Sequence, residues 1–268
     1  MPVITTYTAD VSICSQICRL AIQEFGLQEA KNVDVDIEYA MDNYEPWFVR
    51  LQPKMTVPVM DYDGELVQDS KDILYYLADK HPESNLYPKE QGAIIDDFIS
   101  GFYEHFLFIG VFTFGHLQMR SAALKDFILM GKTELTLRKL RILAEDPEFS
   151  ELASSKLGEV EQRDFSRLAD PAFLGRADEG IRAMIASLEK TLTDHEYACG
   201  DGYSLADVVA TALLARVHFI NQTEWFTPNL SRYWQRMLER PSFEAANVVA
   251  NFEDALMAEQ FARYLEGK

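Results

Sequence analysis

Two periodicities share this chain, and they change over at a proline-marked break. Up to residue 81, β-branched and aromatic runs alternate with helical segments; from Glu90 onward apolar residues recur at helical spacing alone. Val3–Thr8 reads as a strand. Ser12–Phe25 reads as a helix with Ile13, Ile17, Leu20, Ala21 and Ile22 on its apolar side, ending near Gly26. Val33–Ile37 alternates as a second strand, and Glu45–Leu51 is expected to be a short helix. Val57–Tyr62 and Leu66-Val67 flank Asp63-Gly64, a two-residue hairpin signal, and Ser70–Lys80 gives another helix. A helix joining two strands favours a parallel pair, to which the hairpin adds an antiparallel edge. The expected organisation is an α/β domain over residues 1–81, a linker over 82–89 holding Pro82 and Pro88, and an all-α domain over 90–268.

In the helical half, amphipathic stretches are expected over 90–120, 122–145 and 178–193. Ser204-Leu205-Ala206-Asp207 has the spacing of a capping box before the apolar run Val208–Ile220. Residues 146–177 are charged and poorly periodic, and read as an excursion between helices or a partly mobile stretch. The net charge of -18 sets a field that repels phosphate backbones and anionic lipid, so nucleic acid and membrane surface are poor partners. No run of about 18 apolar residues predicts a membrane span, and no secretory signal is visible. Three cysteines are too few for a disulfide scaffold, so a reducing, cytoplasmic setting is expected.

The residues able to do chemistry cluster in the first half. Pro58 falls at a strand start, where proline removes a ladder hydrogen bond. A cis Val57–Pro58 bond would expose the Val57 backbone for pairing with an extended peptide, although trans is the commoner isomer. Cys14 lies between a strand and a helix. There the helix dipole and free N–H groups are expected to lower its pKa and supply thiolate near neutral pH. Ser12 and Ser15 flank it, able to cap the helix or to donate to a bound thiolate. Cys18 is expected in the core, and Cys199 has no evident partner. Asp69-Ser70 opens a helix. It could bind an α-amino acid head group, the helix end and hydroxyl taking the carboxylate and Asp69 the ammonium. In the helical half, Phe112 and His116 are the candidates for a second-substrate pocket, with the aromatic residues Phe98–Phe114 offering one face to it. No metal-ligand cluster is read.

Taken in order, Ser12-x-Cys14, Val57-Pro58, Asp69-Ser70 and Tyr203-Ser204-Leu205-Ala206-Asp207 resemble the cytosolic glutathione transferase superfamily over nearly the whole chain. Further stretches, among them Arg19-Leu20-Ala21, Phe114-Gly115-His116 and Leu213-Leu214-Ala215-Arg216, are similar to its reductive dehalogenase and zeta-class isomerase branches. The resemblance implies a thioredoxin-like N-terminal domain that binds glutathione as co-substrate, an all-α acceptor domain, and a homodimer. It implies Cys14 and Ser12 as catalytic, with Ser15, Lys54, Thr56, Val57, Pro58, Asp69 and Ser70 around glutathione, and Ser204 and Asp207 as structural. The activity implied is transfer to a small hydrophobic electrophile, with Cys14 removing the glutathionyl group in a reductive dehalogenation. Glutathione-dependent cis–trans isomerisation, thioether-forming conjugation or aryl-ether cleavage, and a non-catalytic binding protein stay open beside it.

Overall fold

The structure is a computed structural model and describes residues 2–266. Strand β1 (Ile4–Thr8) buries Ile4, Thr6 and Thr8 and lies inside a four-stranded sheet of order β2-β1-β3-β4. Its partners are β2 (Lys31–Asp34), β3 (Val59–Tyr62) and β4 (Glu65–Gln68). β2 runs parallel to β1 with Val33 opposite Tyr7, and β3 antiparallel with Val59 opposite Tyr7. The β3–β4 hairpin closes at Asp63 (φ 52°) and Gly64 (φ 89°), a two-residue turn whose backbone must be left-handed at both positions.

Helix α1 (Ile13–Glu24) makes the crossover between the parallel strands. α2 (Pro46–Leu51) and α3 (Ser70–Lys80) fall where the sequence places them. The second strand is displaced from its expected span of Val33–Ile37. The Val35 amide still donates to the Thr8 carbonyl at 2.8 Å, but Asp36 Oδ1 then accepts from the amides of Glu38 and Tyr39, each at 2.8 Å. That local cap turns the chain out of the sheet.

The helical half comprises α4 (Gly92–Glu104), α5 (Phe106–Leu117), α6 (Ala122–Asp126), α7 (Lys132–Ala144), α8 (Ser150–Glu161), α9 (Pro171–Thr191), α10 (Leu205–Phe219), α11 (Pro228–Leu238), α12 (Pro241–Ala245) and α13 (Leu256–Glu266). The single stretch expected over 90–120 is two helices bent by 50° at His105. A π-helical turn over Phe127–Gly131 joins α6 to α7. The segment 146–177, expected to be irregular, is mostly helical. Phe149, Ala153 and Val160 bury against Leu140, Leu143, Val49 and Met55, so α8 gets its apolar partners from α7 and from the N-terminal half. No single helix among the described residues is long and apolar enough to cross a membrane.

α10 is buried on nearly every side and forms the centre of the helical half. The capping box is present: Asp207 accepts from the Ser204 amide at 2.9 Å and its hydroxyl at 3.1 Å. It also accepts from the Ala198 amide at 2.8 Å and the Tyr233 hydroxyl at 2.9 Å. Burial nonetheless raises the Asp207 carboxyl to about 6, the hydrogen bonds only partly opposing it. A carboxyl raised above its unfolded value of 3.8 binds its proton more tightly in the folded chain. Its stabilising effect is therefore complete below that value and is lost as pH rises through about 6. The difference in urea-unfolding free energy between wild type and Asp207→Asn should move against the wild type by roughly 2–3 kcal/mol between those pH values. A pH-independent difference would show that the buried carboxyl does not titrate this way.

Candidate active site

Between β1 and α1 the chain makes a tight, carbonyl-rich turn. Buried Arg19 donates to the carbonyls of Ala9 at 3.1 Å and Asp10 at 3.0 Å, and to the Thr8 hydroxyl at 3.1 Å. Ser12 is the N-cap of α1, its Oγ accepting from the Ser15 amide at 3.3 Å. Ser15 is fully buried and its Oγ accepts from the Ala9 amide at 3.0 Å. Cys14, in the first turn of α1, is half-buried, whereas Cys18 one turn later is 0% exposed.

The surroundings of Cys14 do not make it acidic. Burial raises the thiol to about 11, a hydrogen bond from Ser70 lowers it, the nearby Asp69 charge raises it, and Arg216 lowers it. The expected depression at a helix N-terminus is thus reversed: loss of water around sulfur outweighs the dipole.

The second wall of the site comes from the hairpin and α3. The Val57–Pro58 bond is cis. Pro58 is buried, β3 begins only at Val59, and Thr56 and Lys54 are exposed beside it. Asp69 holds φ 70° at the cap position of α3 and pairs with Lys54 at 2.8 Å. Ser70 is the first residue of α3 rather than its N-cap, and is 1% exposed. Its hydroxyl lies 2.6 Å from that of Tyr103 on α4. Burial pushes the Tyr103 hydroxyl far up, with the Cys14 charge adding to the shift, so the phenol stays protonated. Cys14, Ser70 and Tyr103 form a short chain of protic groups crossing from one half of the protein to the other.

Beside Ser12 opens a cavity of about 240 Å³, lined by Ile13, Phe106, Ile109, Phe114, Leu117 and Phe219 among others. Its charged residues are Glu38, Lys132 and Arg216. Glu38 is 5% exposed and ion-paired with Lys132 at 2.6 Å. Arg216, on α10, is 7% exposed and donates to the Val11 carbonyl. Burial lowers its pKa to about 10, and the charges of Glu38 and Cys14 raise it again.

Residues 11–80 match the family model for the glutathione S-transferase N-terminal domain, and residues 172–241 match that for the C-terminal domain. A tetrachloro-p-hydroquinone reductive dehalogenase of Sphingobium chlorophenolicum is 32% identical over 260 residues, covering 96% of this chain and 100% of that one. This chain belongs to the glutathione S-transferase family. A maleylacetoacetate isomerase of Dictyostelium discoideum is 25% identical over 73% of this chain and 71% of its own. Among solved structures, the β-etherase LigF of a Sphingobium species shares the fold with a TM-score of 0.69 at 22% identity, over 91% of this chain and 98% of that one.

Within this family fold the sequence-derived residues divide in two. Cys14 has Ser70 and Asp69 as near neighbours and Asp69 pairs with Lys54, while Ser12 borders the cavity and the cis Val57–Pro58 bond lies just before β3. Ser15 does not face the site, because its hydroxyl is turned into the β1–α1 turn. Phe112 and His116 are not among the residues lining the cavity beside Ser12: Phe112 is 0% exposed, and His116 Nε2 is 2.9 Å from an Asp178 carboxylate oxygen on α9. A 12-residue helix with little amphipathic contrast gives no sequence cue to which side meets the cavity. Glu38, Tyr103, Lys132 and Arg216 were not expected at the site, since each is brought there by packing between distant segments.

A thiol near 11 is neutral at pH 7 and gains reactivity with every step of alkalinity. Alkylation of Cys14 by iodoacetamide, followed by peptide mass spectrometry, should speed up roughly tenfold per pH unit from neutral to about pH 10. A plateau near pH 7 would show that the thiolate is already formed there. Ser70→Ala should slow the reaction at each pH, because it removes the hydrogen bond that favours the anion.

Proposed function

We propose that this chain is a glutathione-dependent transferase acting on a small electrophile, and that Cys14 then removes the glutathionyl group by thiol–disulfide exchange. Glutathione is the co-substrate of the family to which the chain belongs. It lies against Val57, whose N–H and C=O enter no hydrogen bond among the described residues, with its γ-glutamyl end at Asp69 and Ser70. A homodimer and a cytoplasmic setting belong to the same proposal.

The reaction has three stages. The glutathione thiolate, hydrogen-bonded by Ser12, attacks an electrophilic carbon; a C–S bond forms and the leaving group departs with its electron pair. Cys14, on losing its proton, attacks the sulfur of that adduct. An S–S bond forms, the C–S bond breaks, and the carbon keeps the electron pair and takes a proton. A second glutathione thiolate attacks the mixed disulfide, freeing Cys14 and releasing glutathione disulfide. The observation that carries this reading is the placement of a partly buried Cys14 near the Ser70 hydroxyl and the Arg216 guanidinium, both of which favour its anion. The relative named as a reductive dehalogenase agrees with it.

The raised thiol favours one rival, in which Cys14 is a bystander and the same addition ends in conjugation or isomerisation. Mass spectrometry of reactions with glutathione and a panel of haloquinols, maleyl acids and aryl ethers separates the two. Cys14→Ser should accumulate a glutathionyl adduct and lose reduced product by roughly a hundredfold or more. Undiminished product from that variant would make Cys14 a bystander, and retention on glutathione resin without turnover of any acceptor would leave a binding protein.

A further inference from the structure

Arg216 is a cation with too few partners. It is 7% exposed, yet among the described residues it forms no ion pair, and its one hydrogen bond runs from an Nη to the Val11 carbonyl. A guanidinium carries five N–H donors, and burying it without an anion is costly. The neighbouring carboxylate, Glu38, is already paired with Lys132 at 2.6 Å. The side chain lies over the Phe219 ring at 5.0 Å and borders the cavity beside Ser12, so its remaining donors have that cavity as their outlet.

The other walls narrow what could meet them. Apart from Glu38, Lys132 and Arg216, the lining is apolar with the Ser12 and Thr113 hydroxyls. Two cations and one anion leave a local excess of one positive charge in a chain whose net charge is -18. The volume is about 240 Å³, and roughly 150 Å³ is enough for a benzene ring.

We propose that this cavity selects acceptors that are organic anions: a single-ring, apolar body bearing a carboxylate or phenolate oxygen that Arg216 binds. The assignment deepens the transferase reading by naming the acceptor class and rests on it for the word acceptor, but not for the binding. Arg216 acts here as a specificity-determining residue. It shares the lining of the cavity with Ser12, while Cys14 stands at the first turn of α1.

The test compares matched pairs by calorimetric titration of the wild-type protein, with and without glutathione. The pairs are 4-nitrobenzoate against methyl 4-nitrobenzoate, and 4-nitrophenolate against 4-nitroanisole at alkaline pH. The anion should bind roughly ten- to hundredfold more tightly than its neutral partner, the scale of a charge-assisted hydrogen bond in a buried site. A preference in the carboxylate pair alone, or in the phenolate pair alone, identifies which oxygen the site takes. Arg216→Met should erase the preference, the anion losing more affinity than its neutral partner, and Arg216→Lys should restore part of it. Should Arg216→Met fail to fold, the wild-type comparison decides by itself. Equal affinities within each pair overturn the proposal. If glutathione fails to bind but the anion preference persists, the transferase reading falls and the anion site stands; if glutathione binds and is turned over with neutral acceptors preferred, only the anion site falls.

Discussion

The turn between β1 and α1 points successive carbonyls, those of Ala9, Asp10 and Val11, into the protein instead of into water. Two guanidiniums from different segments satisfy them. Arg19 of α1 donates to the first two, and Arg216 of α10 to the third. Arg19 also reaches the Ala246 carbonyl at 2.7 Å and the Asn247 carbonyl at 3.1 Å, beyond α12. A buried carbonyl left unpaired would cost about 1–3 kcal/mol, so these contacts fix the path of the turn. Ser12 and Cys14 inherit their positions from it.

That arrangement makes the site a product of both halves. The sheet half supplies the sulfur, the cis-proline turn and Asp69-Ser70. The helical half supplies Tyr103, Lys132 and Arg216, together with the apolar wall of α5. Charge pairs reinforce the seam: Arg240 with Glu24 at 2.5 Å, Lys132 with Glu38 at 2.6 Å, and Arg50 with Glu148 at 2.7 Å. The exposed Arg50 pair contributes little by itself. The Glu24 and Glu38 carboxylates are mostly buried, and removing either cation would strand a desolvated charge.

Local rules made much of this readable. Alternation and helical spacing locate β1 and α3 because each buries one side more than the other, and the Asp63-Gly64 turn locates the hairpin; α1 is read from its apolar spacing although it is buried nearly all round. The Ser204–Asp207 spacing reports α10 because a capping box is a contact within one turn. α8 is not legible in the sequence, since its apolar residues face α7 and α2 and give only a weak stripe. The side of α5 that meets the cavity is not legible for a related reason: the helix is apolar around most of its circumference, so the sequence marks burial without direction.

The sequence by itself determined which local conformations were available: the two periodicities, the turn at Asp63-Gly64, the capped start of α10, and a cysteine in the first turn of a helix. Tertiary structure alone decided the environment of each reactive group. Cys14 sits at a helix N-terminus, as its neighbours in sequence dictate, yet its thiol is raised to about 11 because packing around it excludes water. Arg216 faces a cavity because α10 is held beside the β1–α1 turn, a separation in sequence that no local pattern spans. Desolvation and charge proximity depend on what lies within a few ångströms in space, and most of those neighbours are far away along the chain.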